Sequence, residues 1–123
     1  MAATLTNAGF ARIAAVIGAD TLYLAVGTGT SAFSATSTTL GAEITDSGLA
    51  RALGAITYTT TNVTNDTVNA AKTWTASGAK TIGEIAMLNA AAAGVMYEAD
   101  LTSPARALGI GDTFTGTLKI VVA

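Results

Sequence analysis

Residues 81–89 read Thr-Ile-Gly-Glu-Ile-Ala-Met-Leu-Asn, and the pattern of their side chains indicates the fold class. Ala86 and Leu88 alternate with Ile85 and Met87, so an extended segment here is apolar on both of its faces. A strand of that kind is covered on both sides by the rest of the protein. The stretch therefore predicts a central strand of a β-sheet rather than a helix or a half-exposed strand.

The segments around this strand also alternate with a period of two, and turn residues separate them. Asn65-Asp66 predicts one tight turn, and Ser103-Pro104 is expected to end a strand because Pro donates no ladder hydrogen bond. About six strands indicate a mainly β fold, an antiparallel β-sandwich or jelly-roll-like domain over residues 1–123. Besides 81–89, the predicted strands are 21–26, 51–63, 68–76, 95–101 and 113–122.

One short N-terminal helix is predicted over residues 6–17, before the first strand. Thr6 or Asn7 provides an N-cap, and Gly18 is expected to stop the helix. The apolar residues recur at helical spacing, so one wide face must pack on a sheet. These residues are Phe10, Ile13, Ala14 and Ile17.

A long loop is predicted over residues 28–47, which are mostly Thr, Ser, Ala and Gly. Phe33, Leu40 and Ile44 are its expected anchors. A loop of about 20 residues is unusual inside a compact domain and commonly has a function. We interpret it as an arm that contacts a neighbouring molecule. Gly27-Thr28-Gly29-Thr30 at its start lacks the remaining residues of a phosphate-binding motif and predicts a flexible strand exit.

The composition is unusually poor in charge. Half of the 123 residues are hydrophobic and 11% are charged, against about 25% charged in average domains. A sparsely charged surface with near-zero net charge favours association, so much of the exterior is predicted to be buried between subunits. The alternative is that the abundant Thr and Ser supply the missing polarity.

The same composition excludes several function classes. The chain has no Cys and no His, which argues against a disulfide framework, a thiolate or imidazole metal site and a Cys nucleophile. A net charge of −2 with scattered basic residues argues against nucleic acid and anionic membranes as partners. Neither a membrane span nor an export signal is expected. No cofactor, metal site or catalytic residue is predicted.

Three carboxylates are the candidates for chemistry. Glu84 lies in an otherwise apolar strand, so burial requires a partner, and Arg51 or Arg106 would supply an ion pair within one subunit or across an interface. Glu98 and Asp100 lie two residues apart on a strand and share a face. Such a pair either binds Ca²⁺ or acts in acid–base catalysis, or it is a charged strand edge that discourages unwanted pairing.

Several short segments spread over nearly the whole chain resemble a family of small bacteriophage virion proteins, comprising capsid decoration (cement) proteins and tail-fibre-like proteins. Each segment is of low complexity, and the resemblance depends on their combination. The segments are residues 5–9 (Leu-Thr-Asn-Ala-Gly), 23–30 (Tyr-Leu-Ala-Val-Gly-Thr-Gly-Thr) with Phe33, 40–43 (Leu-Gly-Ala-Glu), 48–51 (Gly-Leu-Ala-Arg), 82–90 (Ile-Gly-Glu-Ile-Ala-Met-Leu-Asn-Ala) and 111–114 (Gly-Asp-Thr-Phe).

The resemblance implies a non-enzymatic structural protein that is made in the host cytoplasm and assembled on the capsid surface of the virion. Its expected partners are the major capsid protein and further copies of itself, as a dimer or trimer. The alternative is a tail-fibre or baseplate component that contacts a receptor glycan through Tyr58 or Trp74. Packing of these two aromatic residues in the core or at an interface is the competing interpretation. The residues expected to make protein contacts are Leu5, Phe10, Phe33, Leu40 and Ile44.

Overall fold

The computed structural model describes residues 2–123, and Met1, the first residue of the predicted domain, lies outside the described residues. In this part the chain forms one helix and seven strands in two antiparallel sheets, with the orders β2-β1-β5-β6 and β3-β4-β7. The mainly β, sandwich-like fold with one short helix is therefore confirmed. The elements are α1 (Asn7–Ala19), β1 (Tyr23–Gly27), β2 (Ala52–Leu53), β3 (Ala55–Thr59), β4 (Thr67–Thr75), β5 (Lys80–Leu88), β6 (Met96–Leu108) and β7 (Thr113–Val121).

Strand β5 lies inside the four-stranded sheet, between β1 and β6. Every residue from 82 to 88 is buried, which confirms the central strand predicted from its two apolar faces. One face of the sheet packs on the three-stranded sheet and forms the main core. This core contains Leu22, Leu24, Val26, Ile44, Leu49, Ala70, Trp74, Ala76, Ile82, Ile85, Met87 and Leu108.

A second, smaller group of apolar residues packs on the opposite face of the four-stranded sheet. Ala25, Ala86 and Leu88 supply the sheet side of this group, and Leu40 covers them from the long loop. We call these four residues the loop cluster. Since β1 and β5 are buried on both faces, the structure has three layers here: the loop, the four-stranded sheet and the three-stranded sheet.

The strand predicted over 51–63 is instead two short strands in different sheets. β2 pairs with β1, and β3 pairs with β4. Gly54 lies between them, and its backbone N–H donates to the carbonyl of Leu22 (2.9 Å). A Cβ at Gly54 would lie 3.2 Å from that of Ala70, so the chain passes very close to β4 as it changes sheets. The alternation of side chains along residues 51–63 does not reveal this change of sheet, because the segments before and after Gly54 are both extended.

The helix begins as predicted but ends later than expected. The backbone N–H of Gly9 donates to the Thr6 hydroxyl (3.1 Å), which makes Thr6 the N-cap. The helix continues through Gly18 to Ala19, and Asp20 is the C-cap. A Cβ at Gly18 would lie 2.2 Å from the hydroxyl oxygen of Tyr58. The glycine therefore permits close packing of that tyrosine on the helix and is not a stop signal.

The prediction that Ser103-Pro104 ends a strand is also wrong. β6 continues to Leu108, and the register with β5 shifts where Ile82 pairs with Arg106 but Glu84 pairs with Leu101. The Ser103–Pro104 peptide bond is cis. β6 is an edge strand, so a residue without a backbone N–H is tolerated at a bulge in it.

Candidate functional site

The segment between β1 and β2 contains the loop expected to act as an arm, and it is packed onto the four-stranded sheet. Thr28 donates to the carbonyl of Ala42 (2.9 Å), and Ile44 donates to that of Val26 (2.9 Å). Leu40 is 8% exposed and Ile44 is 4% exposed. Leu40 packs in the loop cluster and Ile44 in the main core, so both anchor the loop as expected. Their side chains lie in the chain's own interior and are not the partner contacts also predicted for them.

The carboxylate of Glu84 holds this loop in place. One oxygen, Oε2, accepts hydrogen bonds from the backbone N–H groups of Gly29 (3.1 Å) and Ala42 (2.8 Å). The other oxygen, Oε1, accepts one from the N–H of Gly41 (2.9 Å). We call these three donors the amide nest. Glu84 is 1% exposed, and hydrogen bonds to a charged acceptor are stronger than those between neutral groups.

Glycines surround the amide nest because backbone must approach the carboxylate closely. A Cβ at Gly27 would lie 2.2 Å from Oε2 of Glu84, and one at Gly29 would lie 2.5 Å from Oε1. A Cβ at Gly83 would lie 2.3 Å from the carbonyl oxygen of Gly29. Real Cβ atoms do not approach so closely, so these positions exclude side chains. Segments 23–30, 40–43 and 82–90, three of those that resemble the phage proteins, meet at the Glu84 carboxylate.

The predicted ion pair of Glu84 with Arg51 or Arg106 does not form within the chain. Arg51 instead binds Glu43 through two hydrogen bonds, from Nη2 to Oε1 (2.7 Å) and from Nε to Oε2 (3.1 Å). Arg106 is exposed on β6, opposite Ile82. Backbone amides satisfy the buried carboxylate, so the expected cation is not needed. Glu84 itself is buried, as its apolar strand indicated.

Arg51 also joins the end of the loop to the turn between β5 and β6. Its Nη1 donates to the carbonyl oxygens of Ala90 and Ala93, each at 2.9 Å. A cavity of about 230 Å³ lies beside this pair, between the loop and the turn. Glu84 and Arg51 together anchor both ends of the loop, and neither group projects freely into solvent. These hydrogen bonds fix one backbone conformation of the loop over the sheet.

Glu98 and Asp100 lie on edge strand β6, next to the edge of the other sheet. A cavity of about 290 Å³ is lined by both carboxylates and by Thr117, Leu118 and Lys119 of β7. Burial, and then the negative charge of Asp100, raise the pKa of Glu98, while the backbone N–H of Lys119 opposes them. Asp100 accepts a hydrogen bond from the backbone N–H of Leu101 (2.8 Å). No group of three possible metal-ligating side chains occurs among residues 2–123.

Asp66 is a second buried carboxylate, which the sequence placed only in a turn. Its oxygens accept hydrogen bonds from the backbone N–H groups of residues 61, 62 and 63 (2.8, 2.9 and 3.1 Å) and from the Thr67 hydroxyl (2.9 Å). Burial alone would raise the pKa of Asp66, but these four donors outweigh it and lower the pKa to about 2. The signal available in sequence was an Asp beside Asn in a Thr-rich hairpin, which is typical of side chain–backbone turns.

The remaining predicted contact residues lie nearer the surface. Leu5 is 49% exposed, whereas Phe10 and Phe33 are intermediate and Phe33 packs against the loop cluster. Trp74 is 3% exposed and donates its indole N–H to the carbonyl of Ala50 (3.0 Å), so it packs in the core. Among the described residues, nine large apolar side chains are exposed: Leu5, Ile13, Val16, Leu53, Tyr58, Val95, Tyr97, Ile110 and Val121.

No protein-family model matches this chain, and no curated protein matches it either. Within residues 2–123, no helix is long and apolar enough to cross a bilayer.

Proposed function

We propose that the protein is a non-enzymatic structural protein of a bacteriophage virion, a capsid decoration (cement) protein that binds the major capsid protein and stabilises the shell. The resemblance of segments 5–9, 23–30, 40–43 and 82–90 to such proteins supports this proposal. In this proposal the protein is made in the host cytoplasm, assembles on the capsid surface and associates with further copies of itself.

The observation that carries the proposal is the character of the surface. Of the fourteen charged residues, Asp66 and Glu84 are buried, which leaves twelve on an accessible surface of 6715 Å². That is about one charged group per 560 Å², and nine large apolar side chains are exposed among them. Soluble domains usually carry about 25–35% charged residues on their surfaces. A surface with so few charges favours a subunit that is covered by neighbours in an assembly.

The anchored loop fits the same role. A protein that reinforces a shell gains affinity when its contact surface is ordered before binding, because less conformational entropy is lost on association. Glu84 and Arg51 hold the loop in one conformation in the isolated chain. On this proposal, Leu5 and the partly exposed Phe10 and Phe33 contribute to the surface that meets the capsid.

Binding to capsids tests the proposal directly. Purified protein is mixed with empty capsids of its own phage, and co-sedimentation is followed as the protein concentration rises. Saturation at a fixed ratio to capsomers is expected. A Leu5→Ser variant should bind less tightly, while Ile110→Ser, which removes an equally apolar side chain that is 80% exposed, serves as the matched control.

The tail-fibre or baseplate alternative predicts a different outcome. Of the two aromatic residues predicted to stack on a glycan, Trp74 lies in the core and Tyr58 is 41% exposed. A glycan-array signal lost in Tyr58→Ala, together with no binding to capsids, would replace the cement proposal by this alternative.

A further inference from the structure

The two sheets of residues 2–123 have four edge strands, and they differ in how far they are protected against pairing with another chain. The edges are β2 and β6 in one sheet and β3 and β7 in the other. Natural proteins block exposed edges with charges, Pro, bulges, very short strands or a covering helix or loop. A strand without these features remains able to extend its sheet by pairing with a further strand.

Edges β6 and β7 are both blocked, on the same side of the sandwich. β6 carries Pro104 at a bulge and two carboxylates, and Asp100 occupies the backbone N–H of its neighbour Leu101 (2.8 Å). The carboxylate of Glu98 lies beside Lys119 of β7, in the cavity that the two strands share. Asp100 therefore occupies a donor of β6, the Glu98 carboxylate lies between the two strands, and an incoming strand would have to displace these charges.

The opposite side of the sandwich is formed by β2 and β3, and only β3 offers an open edge of useful length. β2 has two residues. β3 has five, Ala-Ile-Thr-Tyr-Thr, with no charge, no Pro and no register shift against β4. Four of these five residues are exposed. No charge, Pro or bulge protects this edge, and helix α1 contacts the strand on its core side, where the Tyr58 hydroxyl lies 3.5 Å from the carbonyl oxygen of Ala15.

We propose that a second copy of this chain pairs with the protein through β3, in an antiparallel arrangement that joins two three-stranded sheets into one of six strands. The inference rests on the self-association included in the proposed function and assigns a surface to it. An identical strand is the natural occupant, because two antiparallel copies of one edge are related by a two-fold axis and are self-complementary. An uncharged edge also brings no like charges together across that axis.

Centring the two-fold axis on Thr57 places favourable partners opposite each other. Thr57 faces Thr57 of the second copy on the outer face, and Ile56 faces Tyr58 of the second copy on the core side. Thr–Thr and aromatic–β-branched cross-strand pairs both stabilise antiparallel sheets. Pairing five residues buries less than the ~800 Å² per partner of a standard interface. Leu53 (57% exposed) adjoins this edge and supplies further apolar surface.

Cysteine cross-linking tests this register. The chain contains no Cys, so Thr57→Cys introduces a single thiol. Cα atoms directly opposite each other in antiparallel strands are about 4.5–5.5 Å apart, which suits a disulfide. Mild oxidation should therefore convert this variant to a covalent dimer. Thr117→Cys is the matched control, an exposed Thr on the blocked edge β7, and it should stay uncrosslinked.

Sedimentation of the uncrosslinked proteins provides the second measurement. The wild-type chain should be a dimer at high micromolar concentration. Thr57→Lys puts two ammonium groups beside the two-fold axis without entering the core, and it should raise the dimer dissociation constant at least about tenfold, whereas Thr117→Lys should leave it unchanged. A monomeric or trimeric wild-type chain, or a dimer insensitive to Thr57→Lys that Thr57→Cys does not cross-link, would overturn the proposal.

The capsid assay separates this inference from the proposed function. A monomer that still saturates capsids would overturn pairing through β3 and leave the cement role standing. Cross-linking through Thr57→Cys without capsid binding would support the β3 pairing and overturn the cement role.

Discussion

At the scale of single residues, two buried carboxylates are held by backbone amides and not by cations. For Glu84 the donors lie 55, 43 and 42 positions away in the sequence, at Gly29, Gly41 and Ala42. For Asp66 they lie within five positions. An ion pair with Arg51 was the natural expectation from the sequence, because charged side chains can be read from the sequence. Backbone N–H donors cannot, since every residue except Pro has one. The nearby glycines were the available sign of a close backbone approach.

Replacing the Glu84 carboxylate by an amide should loosen the loop. In Glu84→Gln the new NH₂ group is a donor facing donors, so at least one backbone N–H of the amide nest loses its acceptor. Loss of charge-assisted hydrogen bonds at a buried site costs on the order of 2–4 kcal/mol. Chemical denaturation should show this loss, and amide hydrogen exchange at Gly41 and Ala42 should become faster.

Glu98→Gln is the matched control for that substitution. Burial and the charge of Asp100 raise the pKa of Glu98, so its charged form is disfavoured by the fold. Neutralising it should leave the stability unchanged or raise it. An equal loss of stability in both variants would contradict the specific role assigned to Glu84.

The close contacts around the amide nest predict the effect of adding a single methyl group. A Cβ at Gly29 would lie 2.5 Å from Oε1 of Glu84, so Gly29→Ala must displace either the loop or the carboxylate. Overpacking of this kind costs about 1–3 kcal/mol. The melting temperature of Gly29→Ala should fall, whereas Gly109→Ala has room for its methyl group, 3.6 Å from Asp112, and should melt close to wild type.

At the scale of elements, alternation located most strands, but it could not assign them to sheets. β5 was identified as central from its two apolar faces, because burial on both sides leaves a direct mark in sequence. The change of sheet at Gly54 leaves no such mark, since Ala52 and Ala55 are equally compatible with either sheet. The loop over residues 28–47 was predicted with Leu40 and Ile44 as anchors, and both are buried. The partner contact predicted for these two residues was wrong, because an apolar side chain suits an arm and a core alike.

The loop between β3 and β4 should make stability depend on pH in a defined range. The folded-state pKa of Asp66 is about 2, below its ordinary value of 3.8. Because folding lowers this pKa, the ionised Asp66 carboxylate stabilises the folded state. The stabilisation is complete above pH 4 to 5 and is lost as the pH falls from about 4 to 2. Unfolding free energies of wild type and Asp66→Asn should therefore converge as the pH falls to 2. A difference that is constant from pH 6 to pH 2 would contradict this assignment.

At the scale of the whole molecule, the four-stranded sheet couples two apolar groups that have no residue in common. The main core covers one face of β1 and β5, and the loop cluster covers the other. Trp74 lies in the main core and hydrogen-bonds Ala50, near the end of the long loop. Its fluorescence therefore reports the core and the loop end together.

Loss of the loop would expose the face of the four-stranded sheet that the loop cluster covers, so the layers are expected to unfold together.

Leu40→Ala tests whether the layers unfold together. Leu40 is 8% exposed, and replacing a buried Leu by Ala costs about 2–5 kcal/mol. If the loop and sheet form one cooperative unit, Trp74 fluorescence and far-ultraviolet circular dichroism should both shift to lower denaturant by the same amount and remain superimposable. Val95→Ala, at a side chain that is 59% exposed, should shift neither curve measurably. A Leu40→Ala protein whose loop amides exchange rapidly while both curves stay at their wild-type midpoints would show that the loop opens independently of the sandwich, and that Glu84 anchors a separable layer.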